Sequence, residues 1–262
     1  MKQTHDSFFF FNDKFYSSQD KLLQTLLTSE GVFETIRYSK SGLAFLQEHL
    51  ARLFAGESAK TIPSTSALDY QKIILQLIKK NKLQNQILRV RIRSTRVGLG
   101  ISAEKYEALP ESMYHSGISL CVAEHPLKKG DAWIKHNRRD AYNTLYTNAL
   151  QNDFDECLLL QDGFVQECCT SNILLCKNEK VILPPRDGKR LVGITEQQIL
   201  KHIELPIVEE KIKWPIPNNV EVFISGSLKG LLPVKEITGE KYPIQKKSAL
   251  YKLIPLFSPY SS

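Results

Sequence analysis

Lys135, in WIKHNRRDAY, and Glu167, in DGFVQECCTSN, are the pair whose types and setting suit joint chemistry. A lone lysine is ordinarily a solvated surface cation. This one follows Trp133 and Ile134, and an apolar or cationic setting lowers an ammonium pKa enough to free a nucleophilic amine. Glu167 alternates with Val165 on an expected strand, so pattern leaves its side open. Outward, it is a solvated strand carboxylate. Inward, it could accept a hydrogen bond from a protonated pyridine nitrogen and keep that ring an electron sink. Lysine and carboxylate would then hold the two ends of one cofactor ring. Gly193-Ile194-Thr195, at a helix start, offers backbone N–H groups and a hydroxyl to a phosphate, although an ordinary helix cap uses the same residues. Arg52 could complete the charge balance of a dianion. Ser225-Gly226-Ser227 is a small polar turn that lets backbone approach a ligand.

These residues need elements to carry them. Around Asn12-Asp13 the pattern predicts two short strands, and the segment from Ser18 to Gly31 reads as helical or irregular. GVFETIRYSKSGLAFL predicts a hairpin: Val32 to Tyr38, a turn through Gly42 and a strand to Leu46. Leu46, Leu50, Leu53 and Phe54 recur at helical spacing, and a second helix is expected from Leu68 to Asn81. LRVRIRSTR then predicts a strand with Arg89, Arg91 and Arg93 on one face and Val90 and Ile92 on the other. VGLGISAEKYEALPESMYHSG is expected as a loop, and ISLCVAEHPL as a strand closing a first lobe. HPLKKGDAW resembles a connector or the approach to a site. Beyond it come a helix over Arg138 to Asn152, strands over Glu156 to Gln161, Phe164 to Lys177 and Lys180 to Leu183, and a helix from near Gly193. Strands follow a proline-rich connector, and SALYKLIPLF predicts a last short helix.

A chain of 262 residues exceeds the usual size of one core, so two lobes are expected, 1–118 and 119–262, the second carrying Lys135. With 42% apolar and 24% charged residues, disorder is not indicated. No apolar run approaches the roughly 18 residues of a membrane span. Four consecutive phenylalanines near the N-terminus are too few for a signal-peptide core. Five cysteines without an export signal point to reduced thiols in a cytoplasmic protein. Cys157, Cys168, Cys169 and Cys176 lack a C-x-x-C pair, so no metal site is expected. The net charge of +7 raises nucleic acid as a partner, but no aromatic interleaving or nucleic-acid motif accompanies the arginines. A solvated or subunit-facing side and a pocket for an anionic substrate are the readings that remain.

GVFETIR, FLQEHLARL, the lysine of IKHNRRDAY, DECLLLQDGFVQECCTSNILL, LVGIT and VFISGSLKGLLPV together resemble the fold-type IV pyridoxal-phosphate enzymes, the class IV aminotransferase family. The pieces stand in the family's order over nearly the whole chain. The resemblance implies a two-lobed α+β fold like that of D-amino-acid aminotransferase, with pyridoxal 5'-phosphate between the lobes. It implies that Lys135 forms the internal aldimine and later moves protons, and that Glu167 partners the pyridine nitrogen. Arg52, the segment Gly193, Ile194 and Thr195, and the Ser227 hydroxyl match the phosphate cup. Thr170, Ser171 and Asn172 would support the ring. Family members are usually dimers, so a homodimer acting on a small amino substrate is expected.

Within the family, branched-chain enzymes carry a tyrosine five residues after the lysine, and this chain has Asp140 there. LLTSEG stands where an arginine and phenylalanine usually precede Gly-Asp-Gly. Lys135-His136, the ECC run, Arg139 with Tyr142, and the compact length are similar to aminodeoxychorismate lyases instead. The favoured expectation is pyruvate elimination from 4-amino-4-deoxychorismate, giving 4-aminobenzoate for folate synthesis, with Arg37, Arg93 and Arg96 available to the substrate carboxylates. A branched-chain or D-amino-acid transaminase is the alternative, and a catalytically silent protein of the same fold is a third.

Overall fold

The computed structural model describes residues 7–126 and 134–260. They form two compact units, one of residues 7–108 with 134–138, the other of 109–126 with 139–260. The sequence put the boundary near 118 and Lys135 in the second lobe. Backbone pairing instead returns 134–138 to the first unit, where His136 bridges Val32 and the Phe33 amide donates to Lys135 O at 2.9 Å.

In the first unit, β1 (Phe8–Phe11), β2 (Lys14–Ser17), β3 (Gly31–Ser39), β4 (Gly42–Leu43), β5 (Leu88–Thr95) and β6 (Gly98–Lys105) form one sheet in the order β2-β1-β6-β5-β3-β4. Helices α1 (Lys21–Thr28), α2 (Leu46–Ala59) and α3 (Tyr70–Lys80) pack on it. Strict alternation on β5 buries Leu88, Val90 and Ile92 and leaves Arg89, Arg91 and Arg93 half-buried. The buried side joins Val32, Ile36 and Ile101 to Leu50 and Leu53 of α2 and to Ile74, Leu77 and Ile78 of α3. Each such aliphatic side chain contributes about 1.5–3 kcal/mol. Asp69 caps α3 by accepting from Lys72 N at 3.0 Å, and Lys79 and Lys80 in its last turn suit the negative end of the helix dipole.

Two departures concern backbone economy. β6 was expected as loop because Gly98 and Gly100 break its apolar pattern. Gly100 is required there: a Cβ would lie 1.9 Å from Leu26 Cδ2 of α1, which packs on Phe9 and Phe11. The strand expected to run to Leu46 stops at Leu43, and α2 begins at Leu46 after Phe45 takes a left-handed conformation with φ 54°.

The second unit holds α4 (Met113–Ser116), β7 (Ile118–Glu124), α5 (Asp140–Gln151), β8 (Glu156–Gln161), β9 (Phe164–Cys168), β10 (Asn172–Lys177), β11 (Lys180–Leu183), α6 (Ile194–Leu200), β12 (Ile207–Glu209), β13 (Ile212–Lys213), β14 (Glu221–Gly226), β15 (Gly230–Ile237), β16 (Glu240–Lys241) and α7 (Ala249–Phe257). Its ten-stranded sheet runs β12-β11-β10-β14-β15-β7-β8-β9-β13, with β16 on β15. β7 lies parallel to both β15 and β8, and most other pairs are antiparallel. The single strand expected from Phe164 to Lys177 is two. A turn at Cys169 to Ser171, closed by Cys168 N donating to Ser171 O at 2.8 Å, sends the chain to a different neighbour. α+β is therefore the class. Among the described residues no helix is long and apolar enough to cross a membrane.

Candidate active site

Lys135 is held by its neighbours' backbone. Asn137 accepts from Gly31 N at 3.0 Å through its side chain, donates its own amide to Gly31 O at 3.0 Å, and donates Nδ2 to Ser29 O at 2.5 Å. This clasp fixes the segment to the start of β3. The Lys135 ammonium then stands 4.9 Å from the centre of the Phe33 ring, a cation–π contact on a half-buried side chain. Trp133 and the connector at 127–133 lie outside the described residues.

One residue beyond Phe33, β3 turns a carboxylate into the core. Glu34 is fully buried and receives Arg52 in a fork, Nε to Oε1 at 2.7 Å and Nη2 to Oε2 at 2.8 Å. His49 Nδ1 meets Oε2 at 2.7 Å. Burial opposes ionisation of Glu34, but Arg52 and then His49 outweigh it and bring its pKa down to about 2. Burial in turn pushes the His49 pKa down against the pull of Glu34, with Arg52 and Lys135 adding to the depression. Arg52, expected at a phosphate, is thus oriented by Glu34. Neither Glu34 nor His49 was singled out from sequence. The signal was present: Glu34 shares a strand face with Val32 and Ile36, and a carboxylate there needs a partner.

In the second unit, Glu167 points inward and is 6% exposed, which settles the side that alternation left open. Its Oε2 accepts Leu191 N at 3.2 Å, and Leu191 O accepts Asn172 Nδ2 at 2.6 Å. Asn172 lies against Gly193, where a Cβ would come within 2.0 Å of Asn172 Oδ1. Gly193 caps α6, and the buried Ile194 and Thr195 form its first turn, where amide N–H groups have no intrahelical acceptor. One chain of contacts so joins Glu167, Asn172 and the start of α6.

Thr170 and Ser171 are engaged elsewhere. Both hydroxyls donate to the buried Glu156 Oε2, Ser171 at 3.2 Å, and Lys229 Nζ reaches the same oxygen at 2.7 Å and Thr170 Oγ1 at 3.0 Å. This cluster braces the turn at 169–171 against the turn between β14 and β15, where Ser227 sits; Gly226 would carry a Cβ 3.3 Å from Thr170 O. Glu156 and Lys229 were missed because their pairing spans 73 residues. Ser225, beside Asn172 in the β10–β14 register, is buried, and its Oγ has no hydrogen-bond partner among the described residues.

The three arginines assigned to substrate do not share a place. Arg37 is buried opposite Arg89, Arg93 stands opposite Phe33 four residues along the same ladder, and Arg96 is exposed beyond its end. Four residues of strand are about 13 Å. Arg93 lines a cavity of about 680 Å³ with Ser102 and Lys105, and burial, then Arg91, brings its pKa down to about 10. Arg96 lines a small cavity with Glu30 and His136.

Pyridoxal phosphate needs an amine, a carboxylate for its ring nitrogen, and hydroxyl and amide donors for its phosphate. The first unit supplies the amine of Lys135, and the second supplies the inward Glu167, the first turn of α6 and the orphaned Ser225 hydroxyl, so each unit's donor types fit that group.

Residues 31–237 match the model of the amino-transferase class IV family. A Methanocaldococcus jannaschii protein named "Putative branched-chain-amino-acid aminotransferase" is 27% identical over 256 residues, covering 88% of each chain. The D-alanine aminotransferase of Bacillus licheniformis is 25% identical over 232 residues, covering 80% of each. A solved structure named "Putative 4-amino-4-deoxychorismate lyase", from Legionella pneumophila, superposes with a TM-score of 0.76 at 19% identity, over 92% of this chain and 93% of that one.

Proposed function

Because this chain belongs to the class IV aminotransferase family, whose enzymes depend on pyridoxal phosphate, we propose that it is a 4-amino-4-deoxychorismate lyase. The observation that carries the choice is Asp140. It is exposed at the first turn of α5, where the resemblance puts the ring-binding tyrosine of branched-chain enzymes. The nearest tyrosine on that helix, Tyr142, is buried and bonded to His125 and Glu167.

When bound, pyridoxal phosphate supplies the electron sink that makes a substrate C–H bond acidic. Lys135 would hold the cofactor through Nζ, and as a free amine the same Nζ would take the proton from substrate C4. Cleavage of the C3–O bond would release the enolpyruvyl group, which takes a proton back from Lys135 Nζ or from water to become pyruvate, and the aromatised ring is that of 4-aminobenzoate. Glu167 holds the ring-nitrogen proton. Arg52, Gly193, Ile194, Thr195 and Ser227 hold the phosphate, with Asn172 fixing the start of α6. Thr170 and Ser171 act through the Glu156 cluster, which sets the turn bearing Ser227. The dispersed arginines leave one of Arg37, Arg93 and Arg96 for each substrate carboxylate at most. A cytoplasmic homodimer belongs to the same proposal, supported by five free cysteines and the family's usual assembly.

Purified protein supplied with 4-amino-4-deoxychorismate should release pyruvate and 4-aminobenzoate in equal amounts. Borohydride should fix the cofactor on the wild type and not on Lys135→Ala. The second reading, amino transfer, is favoured by the names of the curated relatives. Release of no pyruvate, with transfer of amino groups from branched-chain or D-amino acids to keto acids, would put it in place of the first. Failure to trap any cofactor on the wild type would overturn both and leave the silent protein.

A further inference from the structure

His125, one residue beyond β7, is 5% exposed and faces Glu167. Its Nε2 lies 3.3 Å from Glu167 Oε1 and 3.2 Å from the Tyr142 hydroxyl, and that hydroxyl lies 3.5 Å from the same Oε1. The imidazole meets the Tyr142 ring edge-on, centroids 5.6 Å apart at 88°. Its own backbone is pinned, His125 N donating to Leu160 O at 2.6 Å.

The geometry limits where protons can sit. A bare Nε2 lone pair would oppose the lone pairs of an ionised Oε1, so Nε2 must carry hydrogen and share it between Oε1 and the phenol oxygen. The phenol proton is then directed to Oε1. With Leu191 N on Oε2, three donors from three separate segments reach one carboxylate. Such a carboxylate cannot turn about its own bonds without giving up a partner.

We propose that His125, seconded by Tyr142, is a positioning residue that locks the Glu167 carboxylate in the orientation its cofactor contact requires. The proposal rests on the function given above, in which Glu167 meets a pyridine nitrogen. His125 touches Glu167 and not the reacting atoms, so it acts through alignment. Among the described residues, Arg139 and Cys169 are charged or titratable groups that face the Tyr142 hydroxyl, and Cys168 faces Glu167. Arg139 stacks on the Tyr142 ring at 4.1 Å and donates Nη2 to Cys169 O at 2.5 Å. Burial, then Glu167, pushes the Tyr142 hydroxyl well above its ordinary pKa against the pull of Arg139, which keeps it a donor.

The test compares His125→Phe, which keeps a ring against Tyr142 and loses the donor, with His125→Gln, whose amide donates from nearly the same reach. Apo-protein of each is titrated with pyridoxal phosphate, and the absorbance of the bound cofactor is followed against pH. Loss of one charge-assisted hydrogen bond should weaken cofactor binding about tenfold in His125→Phe and move its absorbance profile, with His125→Gln restored to within about threefold. Tyr142→Phe, which keeps the ring packing, should weaken binding about threefold and serves if His125→Phe does not fold. Wild-type affinity and profile in His125→Phe and Tyr142→Phe would overturn the proposal, as would His125→Gln as weak as His125→Phe, since packing alone would then explain the loss. A wild type that takes up no pyridoxal phosphate would defeat the assigned function and this inference together. A wild type that does, with unaltered variants, defeats only the inference.

Discussion

Glu34 binds its stability to pH through Arg52 and His49. Its folded pKa of about 2 lies below the ordinary 4.5, so between those values the unfolded chain holds more protons and stability falls as pH falls. The shift is worth on the order of 3 kcal/mol. His49 acts in the same direction over a higher window: its folded pKa is depressed below 6.5, so the unfolded chain takes up a proton first as pH drops below that value. The contributions of Glu34 and His49 to the melting temperature should therefore be complete above about pH 7 and be lost in two stages below it. Glu34→Gln should remove the lower stage and cost about 3–5 kcal/mol at pH 7, because it leaves the Arg52 cation poorly paired. A melting profile of Glu34→Gln that still declines through the lower stage would contradict the assignment. Asn137→Ala, which strips partners from Gly31 N and Ser29 O, should cost about 1–3 kcal/mol in urea melts and lower the yield of borohydride-fixed cofactor at Lys135.

At the level of elements, β3 is the one whose side chains and backbone both serve the site. Gly31 opens it, and a Cβ there would sit 2.2 Å from Ser94 O and 2.8 Å from Thr95 Cα on β5. Those are backbone atoms in a continuous ladder and cannot swing away. Gly31→Ala should thus cost more than Gly100→Ala, whose Cβ meets the Leu26 side chain instead of backbone; about 1–3 kcal/mol is expected for the latter, by denaturant titration. Equal costs would show that β3 can shift from β5. Legibility followed the same division. β5, α3 and the helix over Tyr142 were plain in the sequence because one face of each is buried and its period is unbroken. β6 was hidden because its close approach to α1 demands glycine, which reads as loop. The break between β9 and β10 was hidden because Cys168 and Cys169 continue an apolar run while the backbone changes neighbours. For Lys135, Glu167 and the start of α6, residue type and order sufficed to propose them as candidates. Their fixings, Asn137, Glu156, Lys229 and His125, act across tens of residues and leave no local pattern.

On the scale of the whole molecule, chain order and compact units do not coincide, since residues 134–138 complete the first unit after the second has begun. A fragment ending at 118 keeps every strand of the first sheet and lacks Asn137 and the bridge to Val32. It should be less stable than a fragment ending at 138 by roughly 1–3 kcal/mol, the cost of the unpaired groups of Ser29, Gly31 and Phe33. Amide exchange at Phe33 should be fast in the shorter fragment, while β5 and β6 stay protected; slow exchange there would show that another segment replaces the clasp. The clasp of Asn137 on Gly31 also sets a schedule for synthesis. About a hundred residues separate the two, and at roughly 5–20 residues per second a growing chain needs several seconds to cross that gap. For that time β3 stands with its opening edge unmet, and the nascent first unit presents a short stretch of backbone that any other strand could pair. The lysine segment is therefore the latch that closes the first unit, and it arrives carrying the amine the chemistry needs.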